Sequence, residues 1–247
     1  MGPRPFVVAL GLLGASSVAA AQGRFPPDSL KNIKVLPATM TPRDVINVMR
    51  GFTGALGVRC SYCHVGEEGR PLTTYDFPSD DKRPKQVARV MLRMVQEINT
   101  RLADVPERPT PNVVVTCATC HHGQNRPRTI QDVIGATMDS VGADSAARQY
   151  RGLRERFYGR WTYDFGEGVL NEYAQELARA GKYDQAAAML NLNLEFYPNS
   201  AGAYLGLGEM SLMRADTAGA ITNFRRALEK DPQDPRVRQR LRQLGVN

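Results

Sequence analysis

The chain has 247 residues, 42% of them hydrophobic and 23% charged, enough to bury a core in one large domain or two ordinary ones. A disordered tail and a disulfide-stapled mini-protein are thereby excluded, and outside the N-terminus no apolar run approaches the roughly 20 residues of a spanning helix. The formal charge of +7 is spread along the chain without a basic cluster, which argues against nucleic acid as a partner and leaves room for an acidic protein surface.

At the N-terminus, Arg4 precedes a short apolar run over residues 6–13, and Ala19, Ala20 and Ala21 offer a small-residue cleavage site before Gln22. Residues 1–21 read as a secretory signal, so the mature protein is expected in the periplasm, touching the membrane peripherally or through that segment if it stays uncleaved. A turn-rich stretch around Pro26 and Pro27 follows, then a short extended piece at residues 33–36. Thr41-Pro42 has the form of an N-cap and first helical position, and Val45, Val48, Met49, Phe52 and Leu56 then mark one face of a helix. Residues 65–84, punctuated by Gly66, Gly69, Pro71, Pro78 and Pro84, read as loop. A second amphipathic helix is predicted from about Lys85 to Leu102, and Pro106, Pro109 and Pro111 enforce another loop.

The C-terminal part superposes on itself at an offset of 34 residues: Tyr183-Asp184-Gln185-Ala186 falls on Thr217-Ala218-Gly219-Ala220, Leu190 on Phe224 and Pro198 on Pro232. That period, with Tyr204, Leu207, Gly208, Ala220, Phe224 and Ala227 alternating large and small, resembles tetratricopeptide repeats. Two such repeats need neighbours, which residues 129–160 and a closing helix over 235–244 would supply. The predicted class is therefore mainly α. Its parts are a signal at 1–21, a module at 22–130 with little regular structure beyond short helices, a helical connector at 131–160, and helical repeats at 161–247.

All four cysteines lie in two motifs of one form, Cys60-Ser61-Tyr62-Cys63-His64 and Cys117-Ala118-Thr119-Cys120-His121. A zinc ribbon could use four thiolates, but the interval between the pairs is too long and zinc gives no reason for a histidine after each. A thioredoxin-like exchanger needs a strand-helix-strand setting that neither pair has. Covalent haem attachment accounts for the whole pattern. Two thiols form thioethers with the vinyl groups of one haem, and the next residue lies under the iron. The expected cofactors are thus two haem c groups, on Cys60, Cys63 and on Cys117, Cys120, with His64 and His121 as proximal ligands. His122, adjacent to His121, cannot easily reach the opposite face of the same haem, so methionine is the natural distal ligand. Met49, Met91 and Met94 are the candidates, the alternative for each being core filling.

The order Asn32-Ile33-Lys34-Val35-Leu36, Thr41-Pro42, Met49, Gly57-Val58-Arg59 before the first motif, Ala88-Arg89-Val90-Met91-Leu92-Arg93-Met94, and Val115-Thr116 before the second motif resembles the cytochrome subunit of photosynthetic reaction centres over residues 30–128. In that family a helix carrying the methionine ligand precedes each of the first haem motifs. The resemblance thus implies Met49 and Met91, with Met94 the alternative to Met91. The family carries four haems, whereas this chain has motifs for two, and helical repeats stand in place of the second half.

Together these features predict a periplasmic di-haem electron carrier rather than an enzyme. Its expected partner is another redox protein, a membrane-bound reaction centre or respiratory complex, with the repeats making the protein contact. The alternatives are a di-haem peroxidase or reductase in which one iron opens, and a repeat scaffold whose haems sense redox state.

Overall fold

The computed structural model describes residues 24–108 and 110–246; the signal expected at 1–21 lies outside them. The described residues form eleven α-helices and one 3-10 turn without a strand, which is the mainly α class read from the sequence. They fall into two compact units, and the division passes through the first helix. One unit takes the residues up to Gly51 together with Arg59–Asp104, and the other takes Phe52–Val58 and the chain from Val105 onward.

In the first unit, α1 (Pro42–Leu56) begins where Thr41-Pro42 predicted. Thr41 and Asp44 cap each other: the Asp44 N–H donates to Thr41 Oγ1, and Asp44 Oδ2 accepts from the Thr41 N–H and hydroxyl. The first Cys pair is a single helical turn, α2 (Cys60–Cys63). A loop with a 3-10 turn at Leu72–Thr74 and one antiparallel bridge between Val65 and Asp76 leads to α3 (Arg83–Leu102). Pro84 lies inside the first turn of α3 instead of closing the preceding loop, since the first helical N–H groups need no intrahelical acceptor. Residues 34–36 form bends rather than the extended piece read from the apolar character of residues 33–36, which have no strand to pair with among the described residues.

In the second unit, α4 (Cys117–His121) carries the second Cys pair, capped by the reciprocal Thr116 and Thr119 pair. Then follow α5 (Ile130–Val141), α6 (Ala143–Phe157), α7 (Glu167–Arg179), α8 (Tyr183–Phe196), α9 (Ala201–Met213), α10 (Thr217–Lys230) and α11 (Pro235–Gln243). The starts of α7 and α9 are 34 residues apart, as are those of α8 and α10. A continuous core built on Ile134, Tyr150, Leu170 and Met189 joins α5 to α9. Each such side chain contributes about 1.5–3 kcal/mol through its burial. A second cluster of Phe224, Ala227, Val237 and Leu241 seats α11 on α10. Gly208 shows why the repeat alternates large and small: a Cβ there would stand 2.3 Å from the Phe224 ring. A buried polar thread ties three of these helices, with Asn193 Nδ2 donating to Asn171 Oδ1 at 2.8 Å and Asn171 Nδ2 donating to Ser200 Oγ at 3.3 Å.

Two glycines bring the end of α1 against the turn after α4. Gly57 has φ +64°, and a Cβ on it would lie 2.1 Å from the Gly123 carbonyl oxygen. The Gly123 N–H donates to the Ala55 carbonyl at 2.8 Å. The residue that delivers the chain to the first Cys motif is therefore held by the residue that leaves the second.

Candidate functional site

Each Cys-x-x-Cys-His run folds as one turn of helix, which places its two thiols on neighbouring edges and its histidine at the exit. Cys60, Cys63 and Cys117 are half-buried and Cys120 is exposed, and none of the four forms a disulfide. Burial holds the Cys63 and Cys117 thiols above their ordinary pKa.

The two histidines are oriented in the same way from different surroundings. His64 Nδ1 lies 3.2 Å from the Phe77 carbonyl oxygen, and the Phe77 ring meets the imidazole edge-on with centroids 4.9 Å apart. His121 Nδ1 lies 2.7 Å from the Gln124 carbonyl oxygen. A carbonyl partner fixes the Nδ1–H tautomer and assigns Nε2 as the coordinating nitrogen, the arrangement expected of a metal-ligating histidine. Burial, with Lys85, Arg89 and Lys82 nearby, depresses the His64 pKa and favours the neutral imidazole that can bind iron.

Behind His64 stands a charged brace. The ammonium of Lys85 donates to the same Phe77 carbonyl at 2.8 Å and to the carbonyls of Pro78 and Ser79. Asp80 gathers Lys34 at 2.8 Å, Arg89 at 2.8 Å and Lys85 at 3.2 Å, while Asn32 Nδ2 donates to its carboxylate at 2.9 Å. These donors, Arg89 foremost and Lys34 next, hold the Asp80 carboxyl well below the usual carboxylate range. Lys82 donates to the Ser61 carbonyl inside the first motif. Behind His121, Gln124 plays the corresponding part: its Oε1 accepts from the Tyr163 hydroxyl at 3.0 Å, and its Nε2 donates to the Thr162 carbonyl at 3.2 Å.

Of the methionines, Met49 on α1 and Met91 on α3 are half-buried, whereas Met94 on α3 is 41% exposed and is not the filler of a packed core. Val87 and Val90 are exposed with it on α3, and Val113 and Val114 stand exposed before the second motif. Exposed apolar side chains on α3 and just before the second motif, together with two imidazoles whose Nδ1 meets a carbonyl, fit a covalently held porphyrin. Among the described residues no cluster of three or more His, Cys, Asp or Glu side chains is placed to hold a bare metal ion. No helix among them is long and apolar enough to cross a membrane.

Sequence reasoning named the thiols and histidines but missed Phe77, Asp80, Lys85 and Gln124. Phe77 and Gln124 act through main-chain carbonyls, which no side-chain pattern announces. Asp80 lies in a loop and Lys85 in the first turn of α3, where only their charge could have pointed to them.

The sequence pattern of the family described as "Photosynthetic reaction centre cytochrome C subunit" matches residues 13–155, more than half of the chain and all of both motifs. Cytochrome c-554 of Chloroflexus aurantiacus is 31% identical over 111 residues, covering 44% of this chain and 24% of that protein. The photosynthetic reaction center cytochrome c subunit of Rubrivivax gelatinosus is 30% identical over 118 residues, covering 43% of this chain and 26% of that protein. The chain thus spans about a quarter of the length of these relatives, and helices α7 to α11 lie beyond the family match. The matched stretch carries the thiols, the oriented imidazoles and the helices before them, and by it the chain belongs to the photosynthetic reaction centre cytochrome c subunit family, a family of c-type cytochromes.

Proposed function

We propose that this chain is a periplasmic di-haem cytochrome that carries single electrons between redox proteins. Residues 22–130 hold the haems, residues 131–160 connect, and residues 161–247 act as tetratricopeptide-like repeats for docking. Cys60 and Cys63 with His64 and Met49 hold one haem; Cys117 and Cys120 with His121 and Met91 hold the other. When bound, haem supplies a one-electron iron couple, which two strong protein ligands restrict to electron transfer.

The observation that carries this reading is the shared state of His64 and His121, each with Nδ1 on a backbone carbonyl and Nε2 assigned to the iron. The protein's own work is to keep those imidazoles aimed and, at His64, to favour the neutral form. The Phe77 and Gln124 carbonyls do the aiming, and Lys85 and Asp80 stiffen the first loop. A membrane-bound reaction centre is a fitting partner, since the Rubrivivax relative is named as a subunit of one.

The test is a haem count on the exported full chain. Two covalent haems per polypeptide are expected by mass and by the reduced pyridine adduct, falling to one when Cys60 and Cys63 are both replaced by Ala. A native protein carrying no haem would overturn the proposal. So would a stable high-spin ferric signal from either iron, which belongs to the peroxidase or reductase alternative.

A further inference from the structure

His122 follows the proximal ligand His121 and stands in the left-handed region at φ +49°, closing α4. Its Nε2 donates to the Thr119 carbonyl at 2.8 Å, so the ring is turned back along the motif. Against it lies Trp161, the only tryptophan in the chain, with ring centroids 5.2 Å apart and planes 26° from parallel. The opposite side of that indole faces water, Trp161 being 59% exposed. An aromatic body of this size left at the surface forgoes the benefit of burial, and exposed tryptophan is enriched where proteins bind one another.

Exposed arginines lie beside it, and the nearby carboxylates of Asp132 and Asp164, which keep their charge, are turned to backbone N–H groups. Arg160 precedes Trp161, and Arg128 is brought to the same place because Gln124 Nε2 donates to both the Arg128 and Thr162 carbonyls. Both arginines are exposed and neither forms an ion pair among the described residues. The acidic side chains close in sequence are engaged: Asp132 caps α5 through Thr129, and Asp164 accepts from the Gly166 N–H. Trp161 lies beyond the stretch that matches the family, so this surface is built where the second motif meets residues outside that stretch.

We propose that Trp161, stacked on His122 and flanked by Arg128 and Arg160, is the contact at which an acidic redox protein docks and exchanges an electron with the second haem. With a haem iron held by His121, the path would be short: from His121 along the main chain to His122, and through a ring stack to an indole at the surface. One electron leaves the ferrous iron and enters the partner's oxidised one-electron centre, and no bond is made or broken. The arginines raise the encounter rate with a negative surface, and the exposed indole gives that encounter an apolar centre. This inference rests on the proposal that His121 binds a haem.

The experiment mixes the reduced holoprotein with an oxidised acidic blue-copper protein and follows haem absorbance by stopped flow at low and high salt. The wild-type second-order rate should fall about tenfold or more as salt rises. Arg128→Glu combined with Arg160→Glu should lower the low-salt rate by about tenfold and flatten the salt dependence. Trp161→Ala should slow transfer while keeping the salt dependence, with haem spectra and potentials unchanged. Wild-type rates in both variants would overturn the proposal, as would a Trp161-dependent dimer that reacts no differently with the acidic protein. Absence of haem from Cys117 and Cys120 would overturn the reading beneath it, and the haem count shows that before any rate is measured.

Discussion

His64 and His121 are held by the same bond type but not by the same support: a carbonyl braced by Lys85 in one case, a carbonyl of a residue whose side chain bridges to Thr162 and Tyr163 in the other. On α3, Met91 and Met94 differ by roughly 60° in direction and about 4.5 Å along the axis, so only one could set its sulfur squarely over an iron. Met91→Ala should abolish one of two sulfur-to-iron charge-transfer bands and admit cyanide to that haem. Met94→Ala should leave the band, and because Met94 is exposed its stability cost should fall below the 2–5 kcal/mol typical of a buried methionine. Loss of the band in the Met94 variant alone reverses the assignment. The two Cys-x-x-Cys-His runs were legible in the sequence because the proposed thioether attachment demands a fixed spacing. Their orientation was not, since Phe77 and Gln124 contribute only a backbone oxygen that every residue possesses.

At the scale of elements, the loop between α2 and α3 owes its shape to Asp80 rather than to regular structure. The Asp80 carboxyl is depressed by its cationic donors, so its contribution to stability is complete above the unfolded carboxylate pKa of about 3.9 and is lost only as pH falls through the lower folded value. Asp80→Asn should therefore lower the thermal midpoint at neutral pH, and the gap to wild type should persist near pH 4 and close only in stronger acid. Melting curves of both proteins across that range check the sign; a gap that opened only in acid would contradict it. The amphipathic faces of α1 and α3 and the 34-residue offset of the repeats were readable from periodicity, as was the Thr41 cap. Residues 33–36 misled because short apolar runs look alike whether they pair in a ladder or simply bend around a neighbour.

Over the whole molecule, the second motif and the C-terminal helices belong to one packed unit, joined through Gln124 to Thr162 and Tyr163 and through His122 to Trp161. Removing residues 161–247 should leave the spectrum of the first haem intact. It should broaden or shift that of the second, whose histidine loses the support of its carbonyl partner. Magnetic resonance of the ferric protein resolves the two irons, and unchanged signals from both would show that the loop holds its own shape. The 34-residue register has a consequence of another kind. Successive hairpins α7–α8 and α9–α10 offer the next one the surface they themselves rest on, and α11 merely closes the series by laying Val237 and Leu241 on Phe224 and Ala227. A further hairpin spliced in before Pro235 would find a seat already shaped, moving the terminus outward by about 10 Å, one helix spacing, and leaving both Cys-x-x-Cys-His turns undisturbed. The chain thus contains a point at which its reach can be lengthened by simple duplication, independently of the chemistry at its other end.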